Sequence, residues 1–125
     1  MTTNFICRLT LGVLFIYHGL VPKIIWLSEI EKQLVEAGGF AREDATFLSP
    51  AAGSAEVVLG LMIIFLRKHL FPVYLAAFSL IGLLGFVTAV RPDLLIEAFN
   101  PVSTNLMGLV FCYLIIRSNS EQYPH

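Results

Sequence analysis

Apolar and polar positions fall along this chain in long blocks, and the blocks set its architecture. Four runs are apolar almost without interruption: about 5–27, 47–66, 70–90 and 101–116. A helix rises ~1.5 Å per residue and must cross a ~30 Å hydrocarbon layer, a length the first three runs reach. The fourth would reach only ~24 Å, so it is expected to lie in thinned bilayer or to begin below the interface. Prolines punctuate the runs. Ser49-Pro50 and Asn100-Pro101 each put a capping residue before a proline at the first helical position, Pro72 falls in the opening turn of the third run, and Arg91-Pro92 closes it. Pro22 lies inside the first run near its end, where it should kink the backbone and free a carbonyl near His18.

The sizeable polar segment is Ser28 to Thr46, between the first two runs. Ser28 and Glu31 fit a capping box, Leu27, Ile30 and Leu34 recur at helical spacing, and Gly38-Gly39 ends the pattern. This predicts a short amphipathic helix on the membrane surface, with a flexible acidic loop as the alternative. The polar residues Ser118 to His125 read as a frayed end. The pattern therefore predicts an all-α membrane protein, a four-transmembrane-helix bundle with a short amphipathic helix between helices 1 and 2, forming one membrane domain over residues 1–125. A cleaved leader does not explain the first run, which is too long and is followed by no small-x-small site.

Composition supports the bilayer as the solvent. Of 125 residues, 57% are hydrophobic and 14% charged, against ~25% charged in an average soluble domain. A net charge of −1 leaves no basic excess for phosphates, which excludes nucleic-acid binding. Cys7 and Cys112 form no CxxC pair and are expected to be free, buried, non-catalytic thiols. Orientation in the cell membrane is less sharply marked: Arg8, Arg67, Lys68 and Arg117 fall on one side, Lys23, Lys32, Arg42 and Arg91 on the other. Clustering at Arg67-Lys68-His69 favours both termini in the cytoplasm.

Ionisable groups inside a span are costly and mark candidate sites. By helix rise, Lys23 lies ~6 Å, Glu56 ~10 Å and His18 ~14 Å below the outer boundary, one shared depth band. Asn100, Ser103 and Asn105 join it from the fourth run, Thr88 and Arg91 from the third. Gly53, Glu56 and Gly60 share a helix face, as do Gly12 and Gly19, and Gly82, Gly85 and Ala89; such small-residue faces permit close helix contact. Glu56 is thus expected to point inward, paired with Lys23 first and Arg91 second, with His18 donating a hydrogen bond. Two readings follow: an ion pair that fixes helix register, or a polar pocket of Tyr17, His18, Lys23, Glu56, Arg91, Asn100 and Asn105 that binds a small or lipid-soluble ligand. Metal or haem binding would need a second histidine at that depth, but His69 is at the opposite end and His125 is in the tail.

Tyr17-His18-Gly19-Leu20-Val21-Pro22-Lys23, Gly53-Ser54-Ala55-Glu56-Val57-Val58-Leu59-Gly60 and Asn100-Pro101-Val102-Ser103-Thr104-Asn105 resemble, in order and spacing, the DoxX-like family of small four-span membrane proteins. The resemblance implies a four-helix membrane bundle and matches Lys23 and Glu56 to the family's first-helix lysine region and second-helix glutamate. The family includes a subunit of an archaeal thiosulfate:quinone oxidoreductase, bacterial proteins of membrane redox and thiol homeostasis, and animal chaperones of acetylcholine receptor assembly. It thereby suggests an accessory of a membrane redox system with a quinone as ligand, or a membrane chaperone or assembly factor that binds partner spans or a second copy of itself. No redox centre is visible in the sequence, and whether the chain is an enzyme stays open.

Overall fold

A computed structural model describes residues 1–123; His125 lies outside the described residues. The described chain is helical and contains no strand. Helix α1 spans Thr3–Leu20 and runs on into a π-helical turn, Val21–Ile25. A surface helix, α2, spans Glu29–Ala37, followed by α3 at Ala45–Phe65, α4 at Phe71–Val90 and α5 at Pro101–Gln122. Four of these are long and apolar enough to cross a membrane, with the first counted as Thr3–Ile25. Their outward faces carry Phe47, Phe65 and Phe78, as expected where lipid rather than water is the neighbour.

Helix α1 is the centre of the arrangement. It packs against α3 and α5, α4 packs against α5, and α3 scarcely meets α4, which leaves a gap along that side. Two glycine pairs set the α1–α3 contact. A Cβ on Gly60 would come within 2.6 Å of Gly12 O, and one on Gly12 within 2.8 Å of Gly60 O. Gly19 and Gly53 face each other still more tightly one heptad along. On α4, by contrast, a Cβ on Gly82 or Gly85 would have nothing within 4 Å, so at these two positions the expected small-residue face of the third span meets no other helix among the described residues. Gly60→Ala is therefore expected to destabilise by about 1 to 3 kcal/mol through backbone crowding. Gly82→Ala should be neutral or slightly stabilising; equal losses in a detergent unfolding titration would contradict the packing.

The core lies toward the end that holds the chain termini, with Cys7, Leu11, Phe15, Leu59, Ile63, Val73, Ala76, Leu80, Cys112 and Ile115 in one cluster. Both cysteines are free and buried. Maleimide is expected to label them only as fast as the bundle unfolds, and rapid labelling of the folded protein would contradict this burial.

Several boundaries differ from the sequence reading, each for a local reason. The second span does not open at Ser49-Pro50: Arg42–Asp44 forms a 3-10 turn, α3 starts at Ala45, and Pro50 sits in its second turn. Pro50 is the sixth residue of α3, so near the helix start its missing N–H forgoes only one early bond of the ladder. Pro22 widens the helix rather than simply bending it, and Trp26 N donates to Val21 O, five residues back, at 2.9 Å. The fourth span is not short. It extends to Gln122, a rise of ~33 Å, because Ser118 and Asn119 belong to a buried network instead of a frayed tail.

That network is built around Arg8, which has no exposed surface. Its guanidinium donates to Ile63 O at 2.9 Å, Leu66 O at 3.4 Å, His69 O at 3.2 Å, Asn119 Oδ1 at 3.0 Å and Asn4 Oδ1 at 3.2 Å. Asn4 in turn donates to Ser118 Oγ and to Ile115 O. The sequence reading counted Arg8 among the surface charges of its end; it is a buried clamp on the last carbonyls of α3, the following turn and α5.

Candidate functional site

Beyond Phe15 and Leu80 the bundle opens, and a cavity of about 130 Å³ replaces the packed core. Its walls are Leu14, Phe15, Leu80 and Leu83; its polar groups come from His18, Lys23, Glu56, Ser79, Thr104 and Asn105. The close approach of Gly19 and Gly53 positions the cluster, since a Cβ on Gly53 would lie 2.8 Å from that of Lys23. Lys23, on the π-turn, and Glu56, on α3, are thereby held across one another. Lys23 Nζ is 3.5 Å from Glu56 Oε2 and 2.8 Å from Glu31 Oε1. Lys23 is thus shared between two carboxylates.

Glu31 is the residue that the sequence reading missed. It was assigned to a capping box, and half of that box forms: Ser28 Oγ accepts from Glu31 N at 3.2 Å. The Glu31 carboxylate goes instead to Lys23, and Ser49 Oγ lies 3.5 Å from its other oxygen. The signal was in the periodicity. Glu31 follows Leu27 by four residues and precedes Leu34 by three, so it shares the side of α2 that faces the bundle. The polar edge of α2 is tied separately, with Arg42 bonded to Glu36 at 2.7 Å and to Glu29. The Arg42 guanidinium holds the Glu29 carboxyl below its usual range.

Other expected site residues take different places. Arg91 does not reach Glu56: its guanidinium is bidentate to Asp93 at 2.8 and 2.9 Å and donates to Gln33 at 2.9 Å. Asp93 sits two residues on, within direct reach of the closing turn of α4, and its carboxyl is held below the usual range by that pairing. Asn100 caps α5, accepting from Ser103 N at 3.1 Å, and its amide donates to Glu97 O. Tyr17 is exposed on the outer face of α1, its ring edge-on to His18 at 6.1 Å between centroids. His18 lines the cavity from an exposed position on its rim, without the expected bond to Glu56. Asn105 is buried at the wall and donates to Leu80 O at 2.8 Å. Lys23, Glu56, His18 and Asn105 thus line one cavity, Tyr17 and Asn100 an adjoining outer groove, and Arg91 neither.

The sequence profile of the DoxX-like family matches residues 12–113, a stretch that holds the glycine pairs, Lys23, Glu31, Glu56 and Asn105. The chain belongs to the DoxX-like family. No curated protein and no solved structure matches it. The profile begins after Arg8 and ends before Asn119, so it covers the open end of this DoxX-like bundle and leaves out most of the arginine clamp.

What the arrangement can do chemically follows from its unmet bonds. Glu56 Oε2 is buried and takes no hydrogen bond, although it is at ion-pair distance from Lys23. Ser79 and Thr104 spend their hydroxyl protons on Leu75 O and Asn100 O of their own helices. The cavity therefore offers an acceptor at Glu56 and an ammonium at Lys23, beside the apolar walls of Leu14, Phe15, Leu80 and Leu83. Among the described residues no group of three or more His, Cys, Asp and Glu side chains is placed to hold a metal ion.

Proposed function

We propose that this small membrane protein binds a lipid-soluble ligand in the cavity between α1, α3, α4 and α5, with its polar head at Lys23 and Glu56. The observation that carries the reading is the buried, unbonded Glu56 Oε2 at the wall of an apolar cavity. A polar atom withdrawn from water without a partner costs free energy that a ligand's donor restores. A register-fixing ion pair alone needs neither the cavity nor a free acceptor. The groove that continues from Glu56 under α2 and between α3 and α4, past Leu34, Ala52, Leu83 and Phe86, gives such a ligand a route to the protein surface. The role of accessory to a membrane redox system, with a quinone as ligand, is the form in which the family resemblance casts this reading.

Mass spectrometry of the protein purified in mild detergent tests it. A stoichiometric small molecule is expected with the native protein and not with Glu56→Gln; a native preparation carrying none, in several detergents and lipids, would defeat the reading. A second reading, an assembly factor for partner spans or for a second copy, is supported by the α4 face where Gly82 and Gly85 lie open beside the exposed Phe78 and Ile81. A stoichiometric protein partner in the same purification is its expected signature.

For orientation we propose that the α3–α4 turn and the end of α5 face the cytoplasm. Lys23, Lys32, Arg42 and Arg91 each have a carboxylate within 4.0 Å. Among the described residues Arg67, Lys68 and Arg117 make no such pair, so the unpaired cations gather at one end. An impermeant thiol reagent added to intact cells should label Glu43→Cys and spare Lys68→Cys. Gly39 is avoided because its φ of +95° would strain a cysteine there. Labelling of Lys68→Cys alone would invert the orientation.

A further inference from the structure

The Lys23 cluster does not balance in charge. Two carboxylates, Glu31 and Glu56, share one ammonium, with ion-pair distances of 2.8 and 3.5 Å and side-chain exposures of 17%, 27% and 13% for Glu31, Glu56 and Lys23. The nearest candidates for a second cation are otherwise placed. Arg91 is committed to Asp93 and Gln33, and Arg42 and Lys32 to Glu29 and Glu36 on the far edge of α2. His18 stands at the rim and makes no ion pair among the described residues. Cys7, Cys112 and the Arg8 clamp lie at the other end of the bundle. With His18 neutral and both carboxylates ionised, the cluster carries one negative charge more than positive, beside a low-dielectric cavity where an uncompensated charge is costly.

The location of the deficit is specific. Lys23 is closer to Glu31 than to Glu56, so the uncompensated charge is greatest at Glu56, whose Oε2 has no hydrogen bond and borders the cavity. A neutral ligand can supply a hydrogen bond there but leaves the extra charge. We infer that the occupant carries a cationic hydrogen-bond donor: an amphiphilic ammonium whose head meets Glu56 in the cavity and whose chain lies in the groove bounded by α2, α3 and α4. This rests on the lipid-soluble-ligand reading above and narrows it to a class of ligand to which a quinone, whose carbonyls only accept, does not belong. An N⁺–H···O⁻ bond to a carboxylate is about twice as strong as its neutral counterpart. The chain has an apolar path, since Ala52 of α3 and Leu83 and Phe86 of α4 line the groove that leads out from Glu56.

The test uses two probes of equal chain length, dodecylammonium and dodecanol, bound to the protein in phosphatidylcholine nanodiscs and corrected for partition into empty discs. The zwitterionic lipid removes any general attraction of the cation to the bilayer. The native protein is expected to bind the ammonium about tenfold more tightly than the alcohol. Glu56→Gln should level the two probes by removing the acceptor's charge. Glu31→Gln should narrow the difference without removing it, because Lys23 then balances Glu56 alone while the carboxylate at the cavity wall remains. Leu83→Trp, which fills the cavity, should abolish binding of both.

Equal affinities in the native protein, in a ratio that neither glutamine variant changes, with both probes lost in Leu83→Trp, would overturn the cationic ligand and leave the lipid-soluble pocket standing. That is also the result expected if a bound proton balances the cluster. Affinities that Leu83→Trp does not change would remove the pocket and the inference together. Circular dichroism and thermal unfolding of each variant in the same discs confirm that the binding comparison is made on folded protein.

Discussion

Arg8→Met is expected to lower the unfolding free energy by about 3 to 5 kcal/mol, on the basis of ~1 to 3 kcal/mol for each buried acceptor left without a donor. The acceptors that lose their donor are the backbone carbonyls of Ile63 and His69 and Asn4 Oδ1, since Leu66 O still accepts from His69 N and Asn119 Oδ1 from Asn4 Nδ2. Carbonyls at a helix C-terminus have no intrahelical donor and carry the negative end of the helix dipole, so a guanidinium there satisfies both needs. Replacing a buried charge by an apolar side chain is sometimes neutral, because the cost of desolvating the charge disappears with it. Here the partners are largely main chain and cannot be replaced along with it, so the loss dominates. Arg8→Lys should recover only part, since one ammonium cannot reach α3, the turn after it and α5 together. Unfolding in mixed detergent micelles measures the difference. A methionine variant within ~0.5 kcal/mol of the native protein, the range of an ordinary surface substitution, would show that the clamp contributes nothing.

Lys23→Met is the second large effect, and it should exceed that of Glu56→Gln. An isolated pair predicts similar costs from either side. With Glu31 as a second partner the symmetry breaks. Removing Lys23 leaves two carboxylates near one another and half-buried, a loss of about 2 to 4 kcal/mol. Glu56→Gln keeps the 2.8 Å Lys23–Glu31 pair and relieves the charge excess, so its cost should be about 1 kcal/mol or less. Adding Glu56→Gln and Glu31→Gln to Lys23→Met should restore most of the stability in two steps. Equal losses for Lys23→Met and Glu56→Gln, with no effect of Glu31→Gln in either background, would mean that Glu31 is not part of the cluster. A stable Glu56→Gln protein is also what makes it a usable probe of ligand binding.

The spans and their punctuation were legible in the sequence because the bilayer imposes a length and a polarity on any segment that crosses it. The four apolar runs, Asn100 as the cap of α5, Ser28 as the cap of α2 and the break at Arg91-Pro92 all depend on neighbours within a few residues. The Lys23–Glu56 juxtaposition was also within reach, since helix rise converts sequence distance into depth and two charges at one depth in hydrocarbon have reason to meet. Depth does not give direction around the helix. It therefore could not separate Lys23, which faces Glu56, from Arg91, which turns to Asp93, or tell that Tyr17 faces outward.

What only the tertiary structure decided has one physical source: partners far apart in the chain compete for the same groups. Glu31 has a good local explanation as a capping residue, and a lysine eight positions earlier outbids it once the π-turn brings α2 back over the bundle. Arg8 and Asn119 look like ordinary polar ends of two helices until α1 and α5 pack side by side and bury both. The three small-residue faces looked alike, yet two of them close on each other at Gly12–Gly60 and Gly19–Gly53, while Gly82 and Gly85 of α4 meet nothing among the described residues. Periodicity shows which residues share a face; which face finds a neighbour is fixed by how the helices are arranged, and a single sequence does not carry that information locally.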